Sequence, residues 1–247
     1  MSLEILSLFL AGIIIGTFNT FSGGGSMVSV PLLIYLGLPP HAANATNRVG
    51  VFFQCLSAST HFHKNRTLDL GFCRKIILPS LIGSVLGSLI SIYISEAHLK
   101  QMMGFSILMV LPLIFLSPEK WLNKKSQPSS ELSFVSLFLY FLIGIYGGFL
   151  QMGSGILLVS TLVLRANRTL TESHAIKVFI LGAFTFPAIL IYNYWDLIFW
   201  EKAITLSLGS IIGGQIGGSL TLAWSPQTNR RILILTLAMS AWYLIKN

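Results

Sequence analysis

Two basic side chains, Arg48 and Lys177, stand inside stretches that are otherwise largely apolar. A charged side chain at the centre of a membrane helix costs about 2.5–3.5 kcal/mol on insertion scales, so such a residue is read first as functional. Arg48 lies six residues after Ala42, roughly 9 Å along a helix that rises 1.5 Å per residue. Asn44 precedes Arg48 by four residues and Ser173 precedes Lys177 by four, so each polar residue shares a helix face with its cation. Asn47 and Gln54, seven apart, extend such a face. The chemistry these groups could do is to neutralise an anion. Two glycine clusters point the same way: Gly23-Gly24-Gly25-Ser26, and Gly153-Ser154-Gly155 following Gly147-Gly148. Each precedes a short apolar run. Each would therefore break a helix and turn free N–H groups and a positive dipole end inward, where an anion is favoured. The eight acids, Glu4, Asp69, Glu96, Glu119, Glu131, Glu172, Asp196 and Glu201, fall at segment ends or in loops. A cation carrier built on a buried carboxylate is disfavoured on that ground. Arg48 then has cargo, rather than an acid, as its expected partner. His41 and His174 flank the two cationic sites and are candidate proton carriers, while His61 and His63 stand beside Lys64 at a segment end. No GxSxG, HExxH or phosphate-cradling loop occurs, and Cys55 and Cys73 lack CxxC spacing. No enzyme chemistry, metal or cofactor is expected.

The elements that must hold these residues are membrane helices. The chain has 247 residues, 53% hydrophobic and 10% charged, with mean hydropathy +0.76, against about 25% charged in an ordinary soluble domain. At roughly 20 residues per crossing, this length holds about seven to ten crossings and no separate soluble domain. The net charge of +8 would suggest nucleic acid in a soluble protein. In a membrane protein it reports cytoplasmic loops, so the expected surroundings are lipid, with no nucleic-acid partner. Ten apolar stretches are legible, at about 6–21, 27–38, 49–62, 76–94, 102–116, 132–149, 156–164, 178–194, 203–223 and 232–244. The second and seventh are too short to span a core of about 30 Å and read as half-helices. The first fifteen residues hold Glu4 and no Lys or Arg, so they read as a retained first segment rather than a cleaved signal.

A shift of about 130 residues superimposes the glycine clusters, sets Asn44 and Arg48 on Ser173 and Lys177, and sets Leu68-Asp69-Leu70 on Trp195-Asp196-Leu197. The organisation expected is two halves of five segments, residues 1–117 and 132–247, joined by a polar linker at 118–131. Twelve of the sixteen cationic residues lie in or beside the loops after the third, fifth, seventh and ninth segments, which sets those loops and the linker in the cytoplasm. Equivalent loops of the two halves then face opposite sides. The fold class is an all-α polytopic membrane protein of two inverted repeats with glycine-broken half-helices. Gly83, Gly87, Gly209, Gly213 and Gly217 read as helix-packing residues, and Tyr192, Tyr194, Trp195, Trp200, Trp224, Trp242 and Tyr243 as interfacial aromatics.

The stretch Gly23-Gly24-Gly25-Ser26-Met27-Val28-Ser29-Val30-Pro31-Leu32-Leu33, followed by Gly37-Leu38-Pro39-Pro40-His41-Ala42-Ala43-Asn44-Ala45-Thr46-Asn47-Arg48, resembles the first-repeat signature of the TauE/SafE family of sulfite and organosulfonate exporters. Tyr146-Gly147-Gly148-Phe149, Gly153-Ser154-Gly155-Ile156-Leu157-Leu158 and Ala175-Ile176-Lys177 resemble its second repeat, with Ser160-Thr161 in place of the proline expected there. The resemblance implies a multi-pass carrier of small sulfur-containing anions in the bacterial inner membrane. The expected function is therefore an alternating-access anion permease. Substrate is met by Gly23, Gly24, Gly25, Ser26, Asn44, Asn47, Arg48, Gly153, Ser154, Gly155, Ser173 and Lys177. The rival class is a non-transport membrane protein, an assembly factor or an intramembrane enzyme.

Overall fold

The computed structural model describes residues 2–115, 132–225 and 228. Among these it holds nine helices and no strand: α1 (Ser2–Ser22), α2 (Ser26–Tyr35), α3 (Pro40–Lys64), α4 (Leu70–Tyr93), α5 (Glu96–Phe115), α6 (Phe134–Phe149), α7 (Ser154–Leu164), α8 (Leu170–Tyr194) and α9 (Trp200–Ala223). The 118–131 linker and the tenth apolar stretch lie outside the described residues. Helix starts follow local chemistry. Pro40 opens α3, where a missing N–H is harmless. Asp69 caps α4 by accepting from Phe72 N at 2.9 Å. Thr169 and Glu172 form a reciprocal capping box on α8.

Among the described residues four helices, at Glu4–Ser22, Leu70–Tyr93, Leu170–Tyr194 and Trp200–Ala223, are long and apolar enough to cross a bilayer. Helix α3 matches α8 in length, at 25 residues each, but carries Asn44, Thr46, Asn47, Arg48 and Gln54, all of them buried. Large apolar side chains such as Ile14, Leu78, Leu190 and Leu208 are exposed instead. Polar residues inside and apolar residues outside is the arrangement lipid demands.

Side-chain contacts fix the helix directions. Lys202 at the start of α9 pairs with Glu4 at the start of α1, and Phe21 at the end of α1 packs on Trp224 just past α9. Helices α1 and α9 therefore run alike. Phe199 N, ahead of α9, donates to Thr46 near the start of α3, and Ser219 lies by His61 near its end, so α3 shares that direction. Because α1 and α3 run alike, α2 must fold back between them, and its ten residues make a half-length return. A second trio runs the other way. Asp69 and Arg168 pair before α4 and α8, Tyr93 and Trp195 meet at their ends, and α6 lies along α4. Helices α3 and α8 are antiparallel, with Ala45 and Val49 packed on Ala188, Ile189 and Tyr192, while Cys55 faces Gly182 farther along. Each trio thus combines two helices from one half of the chain with one from the other.

Within each trio, small residues bring backbones together. Gly12 of α1 lies against Leu206, Gly209 and Ser210 of α9, and Gly87 of α4 against Ile145 and Phe149 of α6. A methyl at Gly87 has no room beside the Ile145 carbonyl, whereas one at Gly104 meets nothing within 4 Å. We expect Gly87→Ala to destabilise the protein by about 1–3 kcal/mol and Gly104→Ala to leave it unchanged or slightly stabilised. Thermal unfolding in detergent checks both, and equal midpoints for the two variants would refute the packing assignment.

Candidate functional site

Two helix ends terminate inside the protein, and each presents carbonyls that have no next turn to bond. Helix α1 stops at Ser22, Gly23 turns the chain with φ +82°, and α2 begins at Ser26. Helix α6 stops at Phe149, the chain turns through Gln151 (φ +61°) and Gly153 (φ +75°), and α7 begins at Ser154. The two turns pack on each other. A Cβ on Gly23 would come within 2.8 Å of the Gly155 carbonyl carbon, and one on Gly155 within 2.8 Å of the Gly23 oxygen. At Gly23 both the positive φ and the close approach require glycine.

Arg48, wholly buried on α3, reaches the end of α6. Its Nη1 donates to the Gly147 carbonyl at 2.9 Å, and its Nη2 donates to Gly148 at 2.6 Å and Phe149 at 3.4 Å. Asn44 Nδ2 donates to the Phe149 carbonyl at 2.9 Å, and Ser88 Oγ to that of Gly148 at 3.1 Å. The Tyr192 hydroxyl donates to Gly148 at 3.3 Å while its ring lies 4.8 Å beneath the guanidinium. Lys177, wholly buried on α8, does the same for α1. Its Nζ donates to the Asn19 carbonyl at 2.7 Å and the Thr20 carbonyl at 2.5 Å. Each cation therefore caps the broken helix of the other half of the chain, and favourably so, because a helix C-terminus carries about half a negative charge.

The shell around these caps is polar and buried. Asn19 donates to Gln54 Oε1 at 2.6 Å and accepts from Gly25 N at 3.1 Å, and Gln54 donates to Thr20 Oγ1 at 2.7 Å. Gln151 donates to Thr185 at 2.9 Å. Ser29 donates to Asn47 Oδ1 at 2.5 Å. Ser154 Oγ donates to the Gln151 carbonyl at 2.7 Å. Several buried polar atoms here have no partner: Asn44 Oδ1, Asn47 Nδ2, Arg48 Nε, Gln151 Oε1, Ser173 Oγ and His174 Nδ1. Unpaired groups of this kind are rare in a finished core and call for an explanation. Among the described residues no group of acids, histidines or cysteines could hold a metal ion.

The structure brings together Gly23 with Gly155, and Asn44 with Arg48 at one helix end, and buries Ser26, Asn47, Ser173, His174 and Lys177. It sets His41 apart. That ring sits at the start of α3, with Nδ1 2.9 Å from Glu96 and Nε2 donating to the Ser91 carbonyl at 2.9 Å. Two points of sequence reasoning change. A choice between acid and cargo omitted the partner that Arg48 has, a helix end 99 to 101 residues away in the chain. Tyr192 is an internal aromatic beneath Arg48, not an interfacial anchor, with 0% exposure. Asn19 and Gln151 were missed. Each is a side-chain amide within four residues of a glycine cluster, which is the signal that could have found them.

Removing Arg48 leaves three carbonyls of α6 short of a charged donor. We expect Arg48→Gln and Lys177→Gln each to lower stability by about 1.5–3 kcal/mol. Arg48→Lys should recover part of the loss, because an ammonium keeps the charge without the planar fork. Unfolding midpoints of the purified variants test this; wild-type stability in Arg48→Gln would show that the cap contributes nothing.

Comparison with known proteins points to membrane transport. The family model described as "Sulfite exporter TauE/SafE" matches residues 8–244. A probable membrane transporter protein of Haemophilus influenzae is 28% identical over 95% of this chain and 92% of its own length. One from a Sinorhizobium species is 25% identical over 92% and 87%, and one from Escherichia coli K12 is 22% identical over 95% and 87%. No solved structure matches. With its spanning helices, the chain is a multi-pass transporter of the bacterial inner membrane, and it belongs to the TauE/SafE sulfite exporter family.

Proposed function

We propose that this chain is an anion permease, carrying sulfite or related sulfur-containing oxyanions and organosulfonates by alternating access. The observation that carries the reading is the pair of fully buried cations, one from each half, that meet helix ends rather than carboxylates. Two unit charges set against two C-terminal dipoles of about −0.5 leave a surplus of about +1, and the starts of α2 and α7 add about +0.5 each. Charge of one sign in a low-dielectric interior is costly unless compensated. A small anion is the compensation. Donors remain for it: Arg48 Nε, Asn47 Nδ2 and Ser173 Oγ have no protein partner. The glycine turns at Gly23–Gly25 and Gly153–Gly155 bring the half-helix starts to the same place, and His174, buried on α8 three residues before Lys177, is the histidine we assign to proton exchange. Sulfur as the central atom comes from the name of the family.

Two inverted repeats, residues 1–117 and 132–247 about a cytoplasmic linker at 118–131, are part of the same reading. Support comes from the opposed directions of α3 and α8, and from caps that each half provides for the other. Arg48 reaches from one helix trio to the other, and Lys177 reaches back. An anion that draws either cation off its carbonyls would loosen the hold between the trios, which is how cargo would drive the exchange of access.

Purified protein in liposomes, assayed with a panel of sulfite, thiosulfate, sulfate and organosulfonates, tests the reading. We expect saturable flux of at least one sulfur anion, reduced about 10- to 150-fold by Lys177→Gln, the range that follows from losing a charged hydrogen bond of about 1.5–3 kcal/mol. Absence of flux across the panel would overturn the function. For the topology, cysteines introduced at Lys64 and Trp195 should label from opposite sides of the membrane. Labelling from one side would overturn the inverted arrangement.

A further inference from the structure

A cavity of about 510 Å³ lies along the seam between α3 and α8 and shares no lining residue with the buried cations. At one end the seam is filled by Ala45, Val49, Ala188, Ile189 and Tyr192. From Phe52 and Gly182 onward the helices leave a slot, walled by Phe52, Leu56, Leu70, Phe179 and Ala183. Leu56 on its lip is 53% exposed, and the neighbouring Phe53 and Phe186 are also large, apolar and exposed, so the slot opens toward lipid. Its far end is different. His63 and Lys64 line the mouth and are exposed, with exposed Arg66 close behind. Asp69, between the lining residues Leu68 and Leu70, is occupied by Arg168 at 2.8 Å. The mouth is therefore net positive, at the basic end of α3 that the positive-inside rule sets at the cytoplasmic face.

An apolar slot open to lipid, ending in cations at the membrane surface, has the polarity of an anionic phospholipid. The slot has an apolar wall along Phe52, Leu56, Phe179 and Ala183, with Cys55, Ser59 and Thr60 of α3 as its polar members and the basic groups confined to the mouth, a lining suited to an acyl chain more than to a small inorganic anion. We propose that it binds one anionic phospholipid, an acyl chain lying between α3 and α8 and the phosphate held by Lys64 and His63. Because α3 and α8 carry Arg48 and Lys177, the occupant would set how far the seam closes.

Purified full-length protein is equilibrated with vesicles of phosphatidylglycerol or of phosphatidylcholine, washed in detergent, and weighed by native mass spectrometry. The expected result is one phosphatidylglycerol retained in preference to phosphatidylcholine. Lys64→Gln should reduce that preference about fivefold, the effect of one basic residue at an anionic surface. Lys100→Gln, an exposed cation at the other end of the bundle, should leave it unchanged. Ala183→Trp, which fills the slot, should abolish retention. Leu56→Trp at the exposed lip gives the same test without a buried change. Equal retention of the two lipids overturns the proposal, as does undiminished retention in both tryptophan variants. A change from dimer to monomer in Leu56→Trp with lipid unaffected would assign the slot to a second copy and overturns it too.

Discussion

A helix that ends inside a membrane leaves carbonyls that no water can reach, and only the protein can satisfy them. This structure meets that demand twice with a buried cation, Arg48 at the end of α6 and Lys177 at the end of α1. Much else follows from those two contacts. Arg48 must sit two turns into α3, so α3 has to be a full-length helix with its polar face turned inward. The half-helices must fold back so that the two glycine turns can touch, and at Gly23 only glycine permits both the backbone angle and the approach. The caps also cross between the two helix trios, so the same bonds that finish the helix ends hold the trios together.

On the proposed reading of the site as one for an anion, the caps set stability against affinity. Carbonyl oxygens are weaker partners for a guanidinium than a carboxylate would be, since each helix end offers about half a charge. A fixed acid in their place would satisfy Arg48 fully and leave nothing for an incoming anion. With carbonyls the cation is held well enough to fold, yet its Nε donor stays unpaired. A polar network left incomplete is destabilising in a structural core, and the proposed anion would be what completes this one.

Much of the architecture was legible in the sequence, because composition and segment length respond directly to the bilayer. The two half-helices were readable from run length and their glycine clusters, and Arg48, Lys177, Asn44 and Ser173 from being polar where apolar residues were required. The partners of the cations were not legible. Lys177 and Asn19 are 158 residues apart, and a backbone carbonyl has no sequence signature, so no pattern of side chains could reveal it. Tyr192 was misread for a related reason. Proximity to a segment end suggested the interface, but α8 is packed along most of its length, and near its end Tyr192 turns inward beneath Arg48. The reversal of α2 is not legible either, because hydropathy measures the length of a run and carries no information on its direction. It follows from the contacts that align α1 with α9, Glu4 with Lys202 and Phe21 with Trp224, and from those that align α3 with α9, Phe199 with Thr46 and Ser219 with His61.

The crossing of the caps has a consequence for how the chain is made. When residues 1–64 have left the ribosome, the Asn19 carbonyl at the end of α1 has only the Gly23 N–H as partner and the Thr20 carbonyl awaits its cap, and the lysine that will meet both is more than a hundred residues from being translated. At about 5–20 residues per second, the 158 residues between Asn19 and Lys177 take roughly 8–30 s to synthesise. Throughout that interval the first half is inserted but unfinished, and it cannot complete itself. Its maturation therefore waits on the second half, which makes biogenesis a late, concerted closure rather than a sequence of independent insertions. The same dependence means that two separately expressed halves would be obligate partners, each arriving with the part the other lacks.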